Sequence, residues 1–162
     1  SREGKGSMST TTHTRSVHID APVEKVFDYV KDPHHFFAVM SEAPGSRLTG
    51  HVKGELTGVE MAPDGGVGST WSFKGALFIY HFDAVLTRTE FTPNERIVDD
   101  NSDAGATWTS TFEPDGTGTS FTLAFTTSSK LPLVDKAVDA LSWKGDHDLD
   151  AMLGSFKKAI EA

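Results

Sequence analysis

Cysteine is absent from the 162 residues, which excludes a disulfide scaffold, a thiolate metal site and a cysteine nucleophile together. No apolar stretch approaches the roughly 18 residues that span a bilayer, and no charged-then-apolar leader opens the chain. The expectation is a cytoplasmic protein with no stable membrane insertion. Basic residues are in deficit, 15 Lys and Arg against 23 Asp and Glu for a formal charge of −8, and none cluster. That balance makes nucleic acid and anionic membranes poor partners. Tyrosine is scarce, 2 against 11 phenylalanines, which turns the aromatic content toward apolar contacts. Repeats, low-complexity tracts and linkers are missing too. Residues 1–7 read as an expression scar before Met8, and 8–162 as a single domain, large enough to fold without disulfide or metal.

What is present follows a clear order. Thr12–Ile19 alternates Val17 and Ile19 with Ser16 and His18, the pattern of a strand. Pro22 suits a first helical position, and Val23, Val26, Phe27 and Val30 then share one helical face. Asp32-Pro33 ends that helix and caps a second, whose apolar side is Phe36, Phe37 and Met40. Ser41–Gly54 has no period and reads as a loop. Strands are expected near 55–61, 68–74, 77–91, 96–101, 107–113 and 117–127, separated by turn residues that include Gly65-Gly66, Gly75, Pro93-Asn94 and Asp115-Gly116. Connections this short make the sheet an antiparallel meander. Trp71, Phe73, Tyr80, Phe82, Trp108, Phe112, Phe121, Leu123 and Phe125 alternate with small or polar residues, giving one strongly aromatic face.

From Pro132 onward the pattern is helical. Val134, Val138, Leu141, Gly145, Leu149, Met152, Phe156 and Ile160 fall within about 60° of Gly145 on a helical wheel. Trp143 falls nearly opposite that seam. Glycine inside a helix costs about 1 kcal/mol relative to alanine, so Gly145 marks either a kink or room left for a ligand. The predicted fold is therefore α+β: seven antiparallel strands curved around a long C-terminal helix, with two short helices plugging one end.

The run Ser16-Val17-His18-Ile19-Asp20-Ala21-Pro22-Val23-Glu24-Lys25-Val26-Phe27, continuing to Asp32-Pro33, is similar to the start of the START-related SRPBCC ligand-binding superfamily. It resembles in particular the bacterial polyketide cyclase/dehydrase and lipid-transport branch, whose plant relatives are the pollen allergens. Gly68, the Pro93–Arg96 turn and the terminal amphipathic helix also sit where that family has them. The resemblance implies a helix-grip fold with a cavity between sheet and helix. Its members include carriers, receptors, cyclases and chaperone partners, so fold alone does not select an activity.

Candidate chemistry is sparse. His34 and His35 are adjacent on a helix and diverge by about 100°, and Asp146-His147-Asp148 lacks a histidine pair at helical zinc spacing and suits an exposed face, so no metal is expected. His81, Asp83, Arg88 and Glu90 lie along the longest strand, and His51 in the Ser41–Gly54 loop, near the expected cavity mouth. If Tyr80 and Phe82 point inward, His81 and Asp83 point to solvent, which leaves these two as weak catalytic candidates. Gly65-Gly66-Val67-Gly68 lacks the helix a phosphate loop needs, and no cofactor motif is present.

The expectation is a monomer or homodimer holding an apolar or aromatic small molecule, without cofactor. Its pocket would be lined by Phe36, Phe37, Met40, Trp71, Phe73, Tyr80, Phe82, Trp108, Phe121, Leu123, Phe125, Val134, Val138, Leu141, Gly145, Leu149 and Met152. The Tyr80 hydroxyl and the indole N–H groups are the expected polar handles. The alternatives are a cyclase/dehydrase-type enzyme using His81 or Asp83 in a shifted register, and a chaperone-activator-like protein-binding module.

Overall fold

The computed structural model describes residues 9–42, 53–77, 80–101, 105–129 and 146–162. Strand β1 (Ser9–Ile19) leads into α1 (Val23–Val30) and α2 (Pro33–Glu42). Then follow β2 (Lys53–Glu60), β3 (Thr70–Leu77), β4 (Tyr80–Thr92), β5 (Arg96–Asn101), β6 (Ala106–Asp115) and β7 (Gly118–Ser129), and finally α3 (Asp146–Glu161). The strands form one sheet in the order β1-β7-β6-β5-β4-β3-β2, antiparallel throughout. Helix α3 packs mainly on β1 and touches α1, α2 and β7. This is the α+β helix-grip architecture expected from the pattern.

Local chemistry explains the helix ends. Pro22 is extended (ψ 154°) and occupies the cap position just ahead of α1, rather than its first turn as expected. The buried side of α1 is Val26, Phe27 and Val30. At the start of α2 the Asp32 carboxylate accepts from the His34 amide and from His34 Nδ1, both at 2.9 Å. Burial pushes the Asp32 carboxyl up, but the His34 hydrogen bonds and the neighbouring imidazole charges outweigh it and hold it below its ordinary value of 3.8. Asp32→Ala should therefore cost about 1 kcal/mol in urea unfolding. That contribution is present above the ordinary carboxylate range and is lost as pH falls through the lowered pKa.

Three features depart from the simple alternation. Gly75, expected to be a turn, lies inside β3, paired with Phe82 on one side and Gly54 on the other, and the β3–β4 connection comes after Leu77. A side chain at Gly54 would collide with the Lys74 carbonyl, so two strands meet through facing glycines. Bulges between Leu56 and Gly58 and between Arg88 and Glu90 each insert one residue. After them the inward positions move from Leu56 to Val59 and from Arg88 to Phe91; Leu56, Val59 and Phe91 pack on the core and Arg88 is buried, while Glu90 turns out to an ion pair with Arg96 at 2.9 Å.

Candidate functional site

The inner face of the sheet is filled in graded fashion. Around α1 and the C-terminal part of α3 the rings interlock. Phe121 stacks on Phe112 (5.1 Å, 9°) and meets Phe156 edge-on (5.5 Å), and Phe27 packs edge-on against Phe112 (5.2 Å). Phe36 reaches from α2 to Trp71, Trp108 and Phe156 at 5.9, 5.2 and 5.7 Å. Further out, Phe37 meets Phe73 at 5.1 Å and Trp108 meets Phe125 at 4.4 Å.

Residual exposure sorts the expected pocket residues into two groups. Phe121, Leu123, Leu149 and Met152 have 0% accessible surface. Phe36, Trp108, Phe73 and Phe37 retain 5, 6, 7 and 8%, and Met40 and Phe125 are only partly buried against the core. Trp71, at 2%, lies between the groups. The strands place Tyr80 opposite Leu77, His81 opposite Ala76 and Phe82 opposite Gly75, but their side chains fall outside the described residues. Val134, Val138, Leu141, Trp143, Gly145 and the loop with His51 lie outside them entirely.

Of the two catalytic candidates, only Asp83 has a described side chain. Asp83 pairs with Lys74 and is exposed, while its neighbours Ala84 and Leu86 are buried. His34 is exposed on Asp32, and His35 stacks on Tyr29 (3.8 Å, 13°) with Nδ1 2.8 Å from the Tyr29 carbonyl. Among the described residues no group of three His, Asp or Glu side chains is placed to hold a metal. Asp148, expected on an exposed helix face, is instead 2% exposed: it projects from the side of α3 that also carries Leu149 and Met152. Asp150, two residues on, is the outward one and pairs with Arg15 at 2.9 Å.

Arg88 is the largest departure. It lies on the inward side of β4 at 2% exposure and forms a buried ion pair with Asp99 of β5. Its Nε donates to Asp99 Oδ1 at 2.8 Å and its Nη2 to Oδ2 at 3.1 Å. Nη1 donates to the Gly65 carbonyl (2.8 Å) and Nη2 also to the Lys31 carbonyl (3.1 Å). Trp71 Nε1 donates to the same Asp99 Oδ2 at 3.1 Å. Five pieces of chain, the α1–α2 junction, the β2–β3 turn, β3, β4 and β5, thus converge on one guanidinium and its carboxylate. The Trp71 indole is consumed by this network, so it is a structural donor rather than the ligand handle expected of it. The signal was present in the sequence: Arg88 continues the inward series of Ala84 and Leu86, and Asp99 that of Ile97.

A profile of the family described as polyketide cyclase / dehydrase and lipid transport matches residues 10–161. Among solved structures, the KanY protein superposes with a TM-score of 0.66 at 17% identity, over 96% of this chain and 100% of its own. The AHSA1-like protein from Aeromonas hydrophila gives 0.56 at 18% identity, over 93% and 92%. Ara h 8.0201 gives 0.53 at 13% identity, over 93% and 99%. At these identities the structures establish a shared fold. A search of curated sequences finds no match. No helix among the described residues is long and apolar enough to cross a membrane.

Proposed function

Because the chain belongs to the polyketide cyclase/dehydrase and lipid transport family, a ligand-binding branch of the SRPBCC superfamily, we propose that it binds an apolar or aromatic small molecule as a carrier or sequestering protein. The observation that carries this reading is the exposure gradient along the inner face. Phe37, Phe73, Trp108 and Phe125 keep accessible surface toward the end of the sheet where β5 stops and β6 starts, whereas the partly buried Phe91 at the other end sits 5.4 Å from Phe27, among the interlocked rings. We assign the pocket wall to these residues with Phe36 and Met40, and assign Phe121, Leu123, Leu149 and Met152 to the core that supports it. Flat apolar walls with few polar groups suit a planar or aliphatic ligand. Asp83, on the outer side of β4, has no access to such a pocket, which favours a binding role over cyclase chemistry through that residue.

Native mass spectrometry of protein purified without added ligand should show a co-purified lipophile, and fatty acids, flavonoids or polyketides should displace a lipophilic dye. Failure of every apolar compound to displace the dye at micromolar concentration would remove the carrier reading. Turnover of a polyketide that His81→Ala abolishes would replace it with the enzyme reading.

A further inference from the structure

At the opposite end from that pocket, a histidine is held between two carboxylates. His18, near the end of β1, has Nδ1 2.8 Å from Asp115 Oδ2 and Nε2 3.0 Å from Asp20 Oδ1. A neutral imidazole offers one donor and one acceptor, so one of these contacts would set a lone pair against a carboxylate. Only the imidazolium, with two N–H groups, satisfies both. The ring lies against Gly118 at the start of β7. A methyl group there would come within 2.8 Å of His18 Cε1 and Nε2 and would also strike the Ile19 carbonyl.

The same segment anchors the last turn of α3. Lys157 Nζ donates to the His18 carbonyl at 2.8 Å and to Glu161 Oε2 at 2.6 Å, and that oxygen also accepts from the Asp20 amide at 2.7 Å. The charged groups facing His18 are thus Asp115 from β6, Asp20 from the β1–α1 link, and Lys157 and Glu161 from α3. From β7, Gly118 lies against the ring and Ser120 is the register partner of His18, and Glu113 of β6 pairs with Ser120.

We propose that this cluster is an acid-strengthened clasp, in which the His18 imidazolium ties the β6–β7 turn to the β1–α1 link and so steadies the backbone on which the end of α3 is docked. The Asp115 and then the Asp20 hydrogen bonds raise the His18 pKa above its ordinary 6.5, with their charges adding and partial desolvation opposing. A raised pKa means that the stabilisation is fully present below about pH 6.5 and is lost as pH rises through the folded-state value.

The test is imidazole NMR across pH 5–9, with hydrogen-exchange protection of the Asp20 amide and of the last turn of α3 measured on the same samples. Both His18 nitrogens should carry protons at pH 6.5, the midpoint should lie above that of a free histidine, and protection should fall through the same midpoint. His18→Gln should abolish the pH dependence of protection, and Asp115→Asn should move the midpoint down. A neutral single tautomer at pH 6.5 would overturn the proposal. So would protection that falls identically in wild type and His18→Gln.

Discussion

Arg88→Met is expected to lower stability by about 3–5 kcal/mol, because it leaves the Asp99 carboxylate buried against Trp71 with its main counter-charge gone. For a chain of this length that is a fall in Tm of roughly 10 °C or more. The loss would remove a large part of the 5–15 kcal/mol that holds a typical domain folded. The Gly65 and Lys31 carbonyls would lose their donors at the same time, so the β2–β3 turn and the α1–α2 junction should loosen together. The double variant Arg88→Met with Asp99→Leu should recover part of the loss, since it removes the unpaired buried carboxylate while Trp71 Nε1 and the two carbonyls still lack their partners. Urea unfolding of the wild type, both single variants and the double closes the cycle. A double variant that loses the sum of the two single losses would mean that Arg88 and Asp99 act separately.

That network also shows where reading by residue type stops. The inward positions of α1, β6, β7 and the end of α3 were legible from spacing alone, because Val26, Phe27, Phe112, Phe121, Phe156 and Ile160 are all apolar and periodic. Arg88 and Asp99 occupy inward positions as well, but a charge reads as solvated until its partner strand is known. Asp148 poses the same problem on a helix. At 100° per residue it lies about 60° from Gly145, at the rim of the seam rather than outside it. The bulges after Leu56 and Arg88 reverse the face of every later residue; Gly58 marks the first, but no breaker marks the second. Gly75 misleads in the opposite sense. It carries a turn signal, yet close contact with the facing glycine keeps it in the ladder.

The proposed division of the aromatic face into core and wall makes opposite demands on two phenylalanines. Phe121 has no accessible surface and is wedged between Phe112 and Phe156, so Phe121→Ala should cost about 3–5 kcal/mol through lost burial and the cavity left behind. Measured where the variant is still folded, its affinity for a lipophilic dye should stay within about threefold of wild type, less than 1 kcal/mol by the usual conversion. Phe37 touches Phe73 at the graded end and keeps 8% of its surface. A side chain that already borders accessible space leaves a smaller new void, so Phe37→Ala should fall below the core range of ~3–5 kcal/mol. With the ring assigned to the proposed wall, its dye affinity should drop at least tenfold, or about 1.4 kcal/mol. Melting curves with dye titrations on the two variants separate the outcomes. Equal stability losses with unchanged affinity in both would mean that the whole aromatic face is core, and the ligand would then have to bind outside it.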